Sequence, residues 1–312
     1  MSQQEKTALL LINQRSRKGR AEASRAQSLL AQAGFTLLQP ARDDTRSYSE
    51  LIAAYAHRVD AVIVGGGDGT LNAAAPGLMQ TGLPLGILPL GTANDFARTL
   101  GIPASLESAI KIIAEGQLRA VDLGEVNQHL FLNVSSIGFS VELARNLTAE
   151  SKKRWGVGGY ALAALRVLRQ SRPFSATLVH QGHRTPIKTV QVSVGNGRFY
   201  GGGMTVEQRA APDDGLLDVY SLELQHSWQL IALLPFLRRG THGRWRNVRA
   251  FSATELTIET RRPHYINADG EIIGQTPAHF RLIASALQVY APGDSAAKQT
   301  DRGSSSPIAV RN

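Results

Sequence analysis

The 312-residue chain contains no cysteine. Disulfides and thiolate metal sites are therefore excluded, and a reducing compartment is compatible with the sequence. Long apolar runs are also missing. No stretch reaches the roughly 20 residues needed to cross a bilayer, and the longest candidates, Tyr160–Leu168 and Leu230–Leu237, suit buried helices. No cationic segment precedes the first apolar run, Ala8–Ile12, which is too short for a signal peptide and reads as a first strand. Internal repeats are absent. Acidic side chains are the minority, 25 against 34 Lys and Arg, for a net charge of +9. Such basicity favours polyanionic partners: nucleic acid, nucleotides or anionic lipid. No nucleic-acid module accompanies the charge, so no nucleic-acid partner is expected. A hydrophobic content of 43% with 19% charged residues describes a globular chain, long enough for two domains with separate cores.

What is present is most informative at Val62-Ile63-Val64-Gly65-Gly66-Gly67-Asp68-Gly69-Thr70-Leu71-Asn72. A β-branched run enters a glycine-dense turn, as a buried parallel strand does when its loop presses backbone N–H groups against phosphate. The segment that follows can supply a helix N-terminus, which attracts anions. Asp68 would repel a phosphate unless a cation such as Mg²⁺, or water bound to one, lay between them. Read without that cation, the segment is a structural turn with a capping Asp. A second apolar run ends in Leu90-Gly91-Thr92-Ala93-Asn94-Asp95-Phe96-Ala97. Ligands of open α/β sheets sit beyond the carboxyl ends of the strands, so the two turns could share one crevice.

Gly-Gly-Asp-Gly-Thr followed at this distance by Leu-Gly-Thr-Ala-Asn-Asp-Phe-Ala resembles the catalytic domain of diacylglycerol and related lipid kinases, and the bacterial YegS-like branch fits best. The resemblance covers about residues 6 to 292. It implies an α/β N-terminal domain with a parallel sheet, a β-rich sandwich-like C-terminal domain, and an active site in the cleft between them. It also implies an ATP-dependent enzyme that phosphorylates a lipid hydroxyl, with ATP and Mg²⁺ as cofactors. ATP would be bound by Gly66, Gly67, Asp68, Gly69, Thr70, Leu71, Asn72 and Thr92. Asp68, Asp95 and Asp122 would hold hydrated Mg²⁺ at the phosphates. The family's nucleotide-contacting Thr after the second strand falls here on Gln39. Its usual first turn, Asn-Pro-x-Ser-Gly, keeps Asn13 and Ser16 but has Gln14 and Arg17 for Pro and Gly.

Two constellations of the second half are, on their own, turns with acids. In Ala211-Pro212-Asp213-Asp214-Gly215-Leu216, the resemblance implies a structural Mg²⁺ held by the Asp214 carboxylate and the carbonyls of Ala211 and Leu216. Oxygen ligands of this kind suit a hard cation. In Asn267-Ala268-Asp269-Gly270-Glu271, it implies that Glu271 is the general base. A primary hydroxyl has a pKa far above 7, so its attack on phosphate gains from a carboxylate that accepts the proton.

Strands alternate with helices up to about Gly124. Short β-rich runs follow: Leu130–Val134, Phe174–Val179, Lys188–Val194, Leu216–Leu222, Glu255–Thr260 and Leu287–Tyr290, with a helical insertion near Gly158–Gln170. The division expected is 1–124 for the nucleotide-binding domain and 125–292 for the lipid domain. The Ser- and Gly-rich residues 293–312 read as a disordered tail. Pro76 falls inside the helix expected after Thr70. Basic segments bearing Trp, Lys152–Trp155 and Arg238–Arg249, suggest peripheral contact with an anionic membrane by a cytoplasmic protein. Two rivals remain. An NAD kinase shares Gly-Gly-Asp-Gly but not the second turn, and a non-catalytic lipid- or nucleotide-binding regulator would not need Asp68 and Glu271. The acceptor could be diacylglycerol, phosphatidylglycerol, a sphingoid base or a ceramide.

Overall fold

The structure, a computed structural model, describes residues 6–41, 43–146, 172–197, 199–200, 204–205, 211–224, 229 and 247–293. Several expectations lie outside these residues: the helical insertion, the tail beyond residue 293, Lys152–Trp155, and residues 238–246 of the second basic segment.

The chain divides into two units. Unit 1 runs to Val121 and takes the chain up again at Leu287, and unit 2 is Asp122–Ala286. Unit 1 contains β1 (Lys6–Ile12), α1 (Arg17–Gln32), β2 (Phe35–Leu38), α2 (Tyr48–Tyr55), β3 (Ala61–Gly66), α3 (Asp68–Thr81), β4 (Leu85–Pro89), α4 (Asp95–Thr99), α5 (Leu106–Glu115) and the start of β5 (Leu118–Val126). Its sheet is parallel, in the order β2-β1-β3-β4. Every residue of β3 and β4 is buried, which explains their continuous apolar character.

Helix ends follow the side chains available. Ser16 caps α1, Ser47 and Glu50 form a capping box on α2, and Ser105 caps α5. Helix α3 runs through Pro76 with outside help. The Ser49 hydroxyl of α2 accepts from the Gly77 N–H (3.2 Å) and donates to the Ala73 carbonyl (3.0 Å), standing between two groups that a regular turn would join directly. A Cβ on Gly77 would lie 2.7 Å from the Ser49 Cα, so only glycine permits this approach.

Unit 2 is antiparallel. Its elements are β6 (His129–Phe131), β7 (Val134–Gly138), α6 (Phe139–Asn146), β8 (Phe174–His180), β9 (His183–Thr189), β10 (Gln191–Gly195), β11 (Phe199–Tyr200), β12 (Met204–Thr205), β13 (Leu217–Leu222), β14 (Val248–Ala253), β15 (Glu255–Thr260), β16 (Tyr265–Ala268), β17 (Glu271–Gln275) and most of β18 (Ala278–Tyr290). One sheet has the order β14-β13-β10-β7-β16-β17, and a second sequence of pairings runs β18-β15-β8-β9. A single apolar cluster includes Ile137, Val192, Val194, Val219 and Ile266 from the first and Leu178, Ile187, Leu256, Ile258 and Phe280 from the second. Two antiparallel layers around one core make the unit sandwich-like.

Two expected strands are divided. Leu130–Val134 breaks because the Asp269 carboxylate takes the N–H groups of Leu132, Asn133 and Val134, at 2.6–3.1 Å, away from strand pairing. Lys188–Val194 breaks at Val190, where the Thr189 hydroxyl donates to the Gln191 and Leu222 carbonyls and β10 starts with a new partner. The chain passes between the units within β5 and again within β18. The end of β18 lies beside β4 in parallel, with Val289 opposite Leu85.

Candidate active site

The two glycine turns of unit 1 meet. Strand β3 ends at Gly66 and α3 begins at Asp68, with Gly67 extended between them. The Gly66 carbonyl accepts from the N–H groups of Leu90 (2.9 Å) and Gly91 (3.1 Å), which join the turn after β3 to the turn after β4. The contact needs a bare Cα at Gly91, where a Cβ would lie 2.4 Å from the Gly67 Cα. Gly91→Ala should therefore force the turns apart. We expect a loss of about 1–3 kcal/mol, typical of overpacking, measurable by urea denaturation, with a larger fractional loss of nucleotide binding.

Asn94 shapes the second turn. It sits in the left-handed region (φ 51°), which asparagine tolerates. Its Oδ1 accepts from the Gly91 N–H (2.9 Å) and its Nδ2 donates to the Gly91 carbonyl (3.1 Å). Asp68 reaches across, its carboxylate accepting from the Asp95 N–H (3.1 Å) and the Phe96 N–H (2.9 Å) at the start of α4. Asp95 is buried, with Arg98 3.5 Å from its carboxylate.

The remaining expected nucleotide residues of unit 1 divide by exposure. Gly69 and Thr92 are exposed, and a Cβ on Gly69 would meet nothing within 4 Å. Thr70 is buried, and its hydroxyl accepts from Asn13 Nδ2 (3.2 Å). Asn13 in turn donates its N–H to the Gly65 carbonyl (2.9 Å), so the turn after β1 joins the assembly. Leu71 is a core residue, and Asn72 follows it in α3. Gln39 is exposed at the end of β2, the edge strand, where it accepts from Gln27 (3.0 Å). With β1 between β2 and β3, Gln39 is set apart from the joined turns. Lys18, to which sequence reasoning gave no role, donates to the Pro89 carbonyl (3.2 Å) beside the second turn. Asn13 stands in the sequence at the head of the first turn, whereas the placement of Lys18 left no local trace.

Unit 2 holds the other expected residues. Asp122 is buried, and its carboxylate accepts from the N–H groups of Gly215 (2.9 Å) and Ser285 (2.7 Å). Asp214 is exposed, and its carboxylate accepts from the N–H groups of Ala211 (3.2 Å) and Leu216 (3.0 Å). These bonds use the N–H groups of Ala211 and Leu216, whereas the expected cation ligands are their carbonyls. Glu271 is exposed at the start of β17 and opposite Ala268. The hairpin turn before it, Asp269-Gly270, has both residues at positive φ (47° and 97°), as a two-residue hairpin requires. Asp269 anchors that hairpin through its three N–H partners in the turn before β7.

Comparison with known proteins agrees with this arrangement. Residues 7–126 match the family described as "Diacylglycerol kinase catalytic domain", and residues 134–291 match "YegS C-terminal NAD kinase beta sandwich-like domain". A "Probable lipid kinase YegS-like" of Pseudomonas savastanoi pv. phaseolicola is 35% identical over 266 residues, 82% of each chain. A protein of the same description from Yersinia enterocolitica is 31% identical over 294 residues, 91% of this chain and 96% of that one. A "Diacylglycerol kinase" of Mycobacterium tuberculosis is 33% identical over 251 residues, 78% and 80% of the two chains. A crystal structure from Bacillus anthracis, described as "a putative diacylglycerol kinase", superposes with a TM-score of 0.76 at 27% identity, covering 92% of this chain and 97% of that one. The NAD kinase and the non-catalytic regulator, both weighed from the sequence, give way to this likeness. With the joined glycine turns of unit 1 and the sandwich of unit 2 both matched, the chain belongs to the YegS-like lipid kinases of the diacylglycerol kinase family and is a phosphotransferase.

Proposed function

We propose that this lipid kinase transfers the γ-phosphate of ATP to a hydroxyl of a glycerolipid such as diacylglycerol or phosphatidylglycerol. The observation that carries the reading is the joining of two glycine turns by Gly66, Gly91 and the Asp68 carboxylate. ATP would supply the phosphoryl group, and a bound Mg²⁺ would offset the charge of the phosphate oxygens. Gly66, Gly67 and Gly69 offer backbone N–H groups with no Cβ to hold phosphate away. Thr92 presents an exposed hydroxyl to it. Asp68 holds the start of α4 in place and would be the residue that meets the hydrated metal. Glu271 accepts the proton of the lipid hydroxyl as the new P–O bond forms and the bond from the γ-phosphorus to the bridging oxygen breaks, releasing ADP. Labelled ATP offered with a panel of lipids, and the product identified by mass spectrometry, tests the reaction. Transfer to NAD and to no lipid would reject it.

The Asp214 turn is assigned a structural Mg²⁺ through Asp214, Ala211 and Leu216. Asp214→Ala should lower thermal stability and activity together. Chelator should then destabilise the wild type but not the variant, since a ligand bound only by the folded state stabilises by mass action. Equal chelator shifts in a thermal melt would argue against the site.

Association with an anionic membrane is part of the reading and rests on the net charge of +9. No helix among the described residues is long and apolar enough to cross a membrane. Of the second basic segment, Arg249 is described and is ion-paired with Glu223 at 2.6 Å. Its charge is therefore partly answered within the protein.

A further inference from the structure

The cations of unit 2 fall into two groups. Arg184, Arg249 and Arg281 are each ion-paired, with Glu259, Glu223 and Glu125. Arg172, Lys188, Arg261 and Arg262 are exposed and have no ion pair among the described residues.

The unpaired group comes from separate strands and gathers at one end of the β15-β8-β9 sheet. Ser175 of β8 is exposed and stands opposite Lys188 of β9. Both point away from the core, since their neighbours Ala176 and Ile187 belong to it. Thr260, the last residue of β15, stands opposite Ala176, so the chain at Arg261 comes level with Ser175 on its other side. Arg172 enters three residues before Ser175, and Arg262 follows Arg261 in the turn that leads to β16. Backbone and ring contacts hold that turn. The Thr260 hydroxyl donates to the Arg262 carbonyl (2.8 Å), and the His264 ring stacks on Phe174 with 4.1 Å between centres. The guanidinium groups take no part in either contact.

Like charges gathered without an acid repel one another, and an external anion relieves that repulsion. The enzyme's family indicates which anion. A lipid kinase meets its acceptor at a bilayer, and no helix among the described residues is long and apolar enough to cross one. Contact is then made from the surface. A bilayer with acidic headgroups is a plane of phosphates that several cations at one end of a domain can meet together. Tyr265, three residues on from Arg262, is 38% exposed, and an amphipathic ring of this kind suits the headgroup layer. Nucleic acid offers phosphates too, but no recognition module accompanies the cations.

We propose that Arg172, Lys188, Arg261 and Arg262 form the surface by which the protein docks on anionic bilayers. The proposal names the surface for the membrane association set out above and rests on that reading.

The test uses the full chain with vesicles of phosphatidylcholine, with and without phosphatidylglycerol, and measures binding by sedimentation. The wild type should bind the mixed vesicles at low salt and leave them as salt is raised. Arg261→Gln with Arg262→Gln should weaken that binding by about 30-fold, as expected for two cations near an anionic surface. Thermal melts should match the wild type. Arg172→Gln with Lys188→Gln, on other strands, should weaken binding to a similar extent, so the result does not depend on one turn. Arg58→Gln with Lys111→Gln removes the same charge from exposed positions of unit 1 and should leave binding nearly unchanged. If the wild type ignores the mixed vesicles, the membrane reading fails and the surface with it. If the wild type binds and all three pairs of substitutions weaken it alike, or the two pairs of unit 2 spare it, the reading stands and the assignment of the surface is overturned. Retention on a single-stranded RNA that falls in the unit 2 variants while vesicle binding is spared would give the cations to nucleic acid and overturn it as well.

Discussion

Replacing Glu271 with glutamine should lower phosphate transfer to lipid by roughly 10² to 10⁴-fold, about 3–5 kcal/mol of barrier, while ATP affinity is unchanged. The substitution keeps the shape and removes the proton acceptor. Glu271 is exposed on a hairpin whose position is held by Asp269, so the loss should come without unfolding. Single-turnover kinetics separates the outcomes. If Glu271→Gln abolishes ATP binding and spares the turnover of bound ATP, Glu271 belongs to the nucleotide and another group is the base.

Asp68 should show an effect of similar size by a different route. Its carboxylate accepts two backbone N–H groups at the start of α4 and, in the proposed reaction, a metal-bound water. Asp68→Asn keeps one of these oxygens, and asparagine serves about as well as aspartate at helix starts. Stability should therefore change by no more than about 1 kcal/mol, while turnover falls on the order of 10³-fold, the scale of losing one preorganised electrostatic group. Asp68→Ala should lose the same activity together with more stability. Thermal melts beside ATP-turnover assays distinguish these cases. A folded Asp68→Asn enzyme with near-normal turnover would leave Asp68 as a purely structural tie between the turns.

Much of this arrangement was legible in the sequence where the cause is local. A β-branched run meeting Gly66-Gly67-Asp68 announces a buried strand, a tight turn and a helix start within a few residues. The Ser-led helix starts and the Asp-Gly hairpin are local in the same way. What escaped depends on residues far apart along the chain. Gly91 is glycine because the Gly67 Cα occupies the space of its Cβ, and neither turn alone reveals that. Asp68 looked like an acid aimed at phosphate, and its bonds to Asp95 and Phe96 need the tertiary fold to be seen. Asp269 looked like a turn acid, yet its three partners lie more than a hundred residues earlier, and they divide the strand expected over Leu130–Val134.

The return of β18 to unit 1 bears on how the protein is made. Leu287, Val289, Tyr290 and Ala291 are all buried, Val289 lies beside Leu85, and Ala291 donates its N–H to the Gln117 carbonyl (3.1 Å). Domains usually fold as units while synthesis proceeds from the N-terminus. Here the ribosome releases all of unit 2 before it supplies the strand that covers the open side of β4. Unit 1, although begun first, is therefore completed last. A nascent chain stalled before residue 287 should present an unpaired β4 edge to chaperones or to other chains, and the fully assembled glycine turns should be reached only after β18 has emerged.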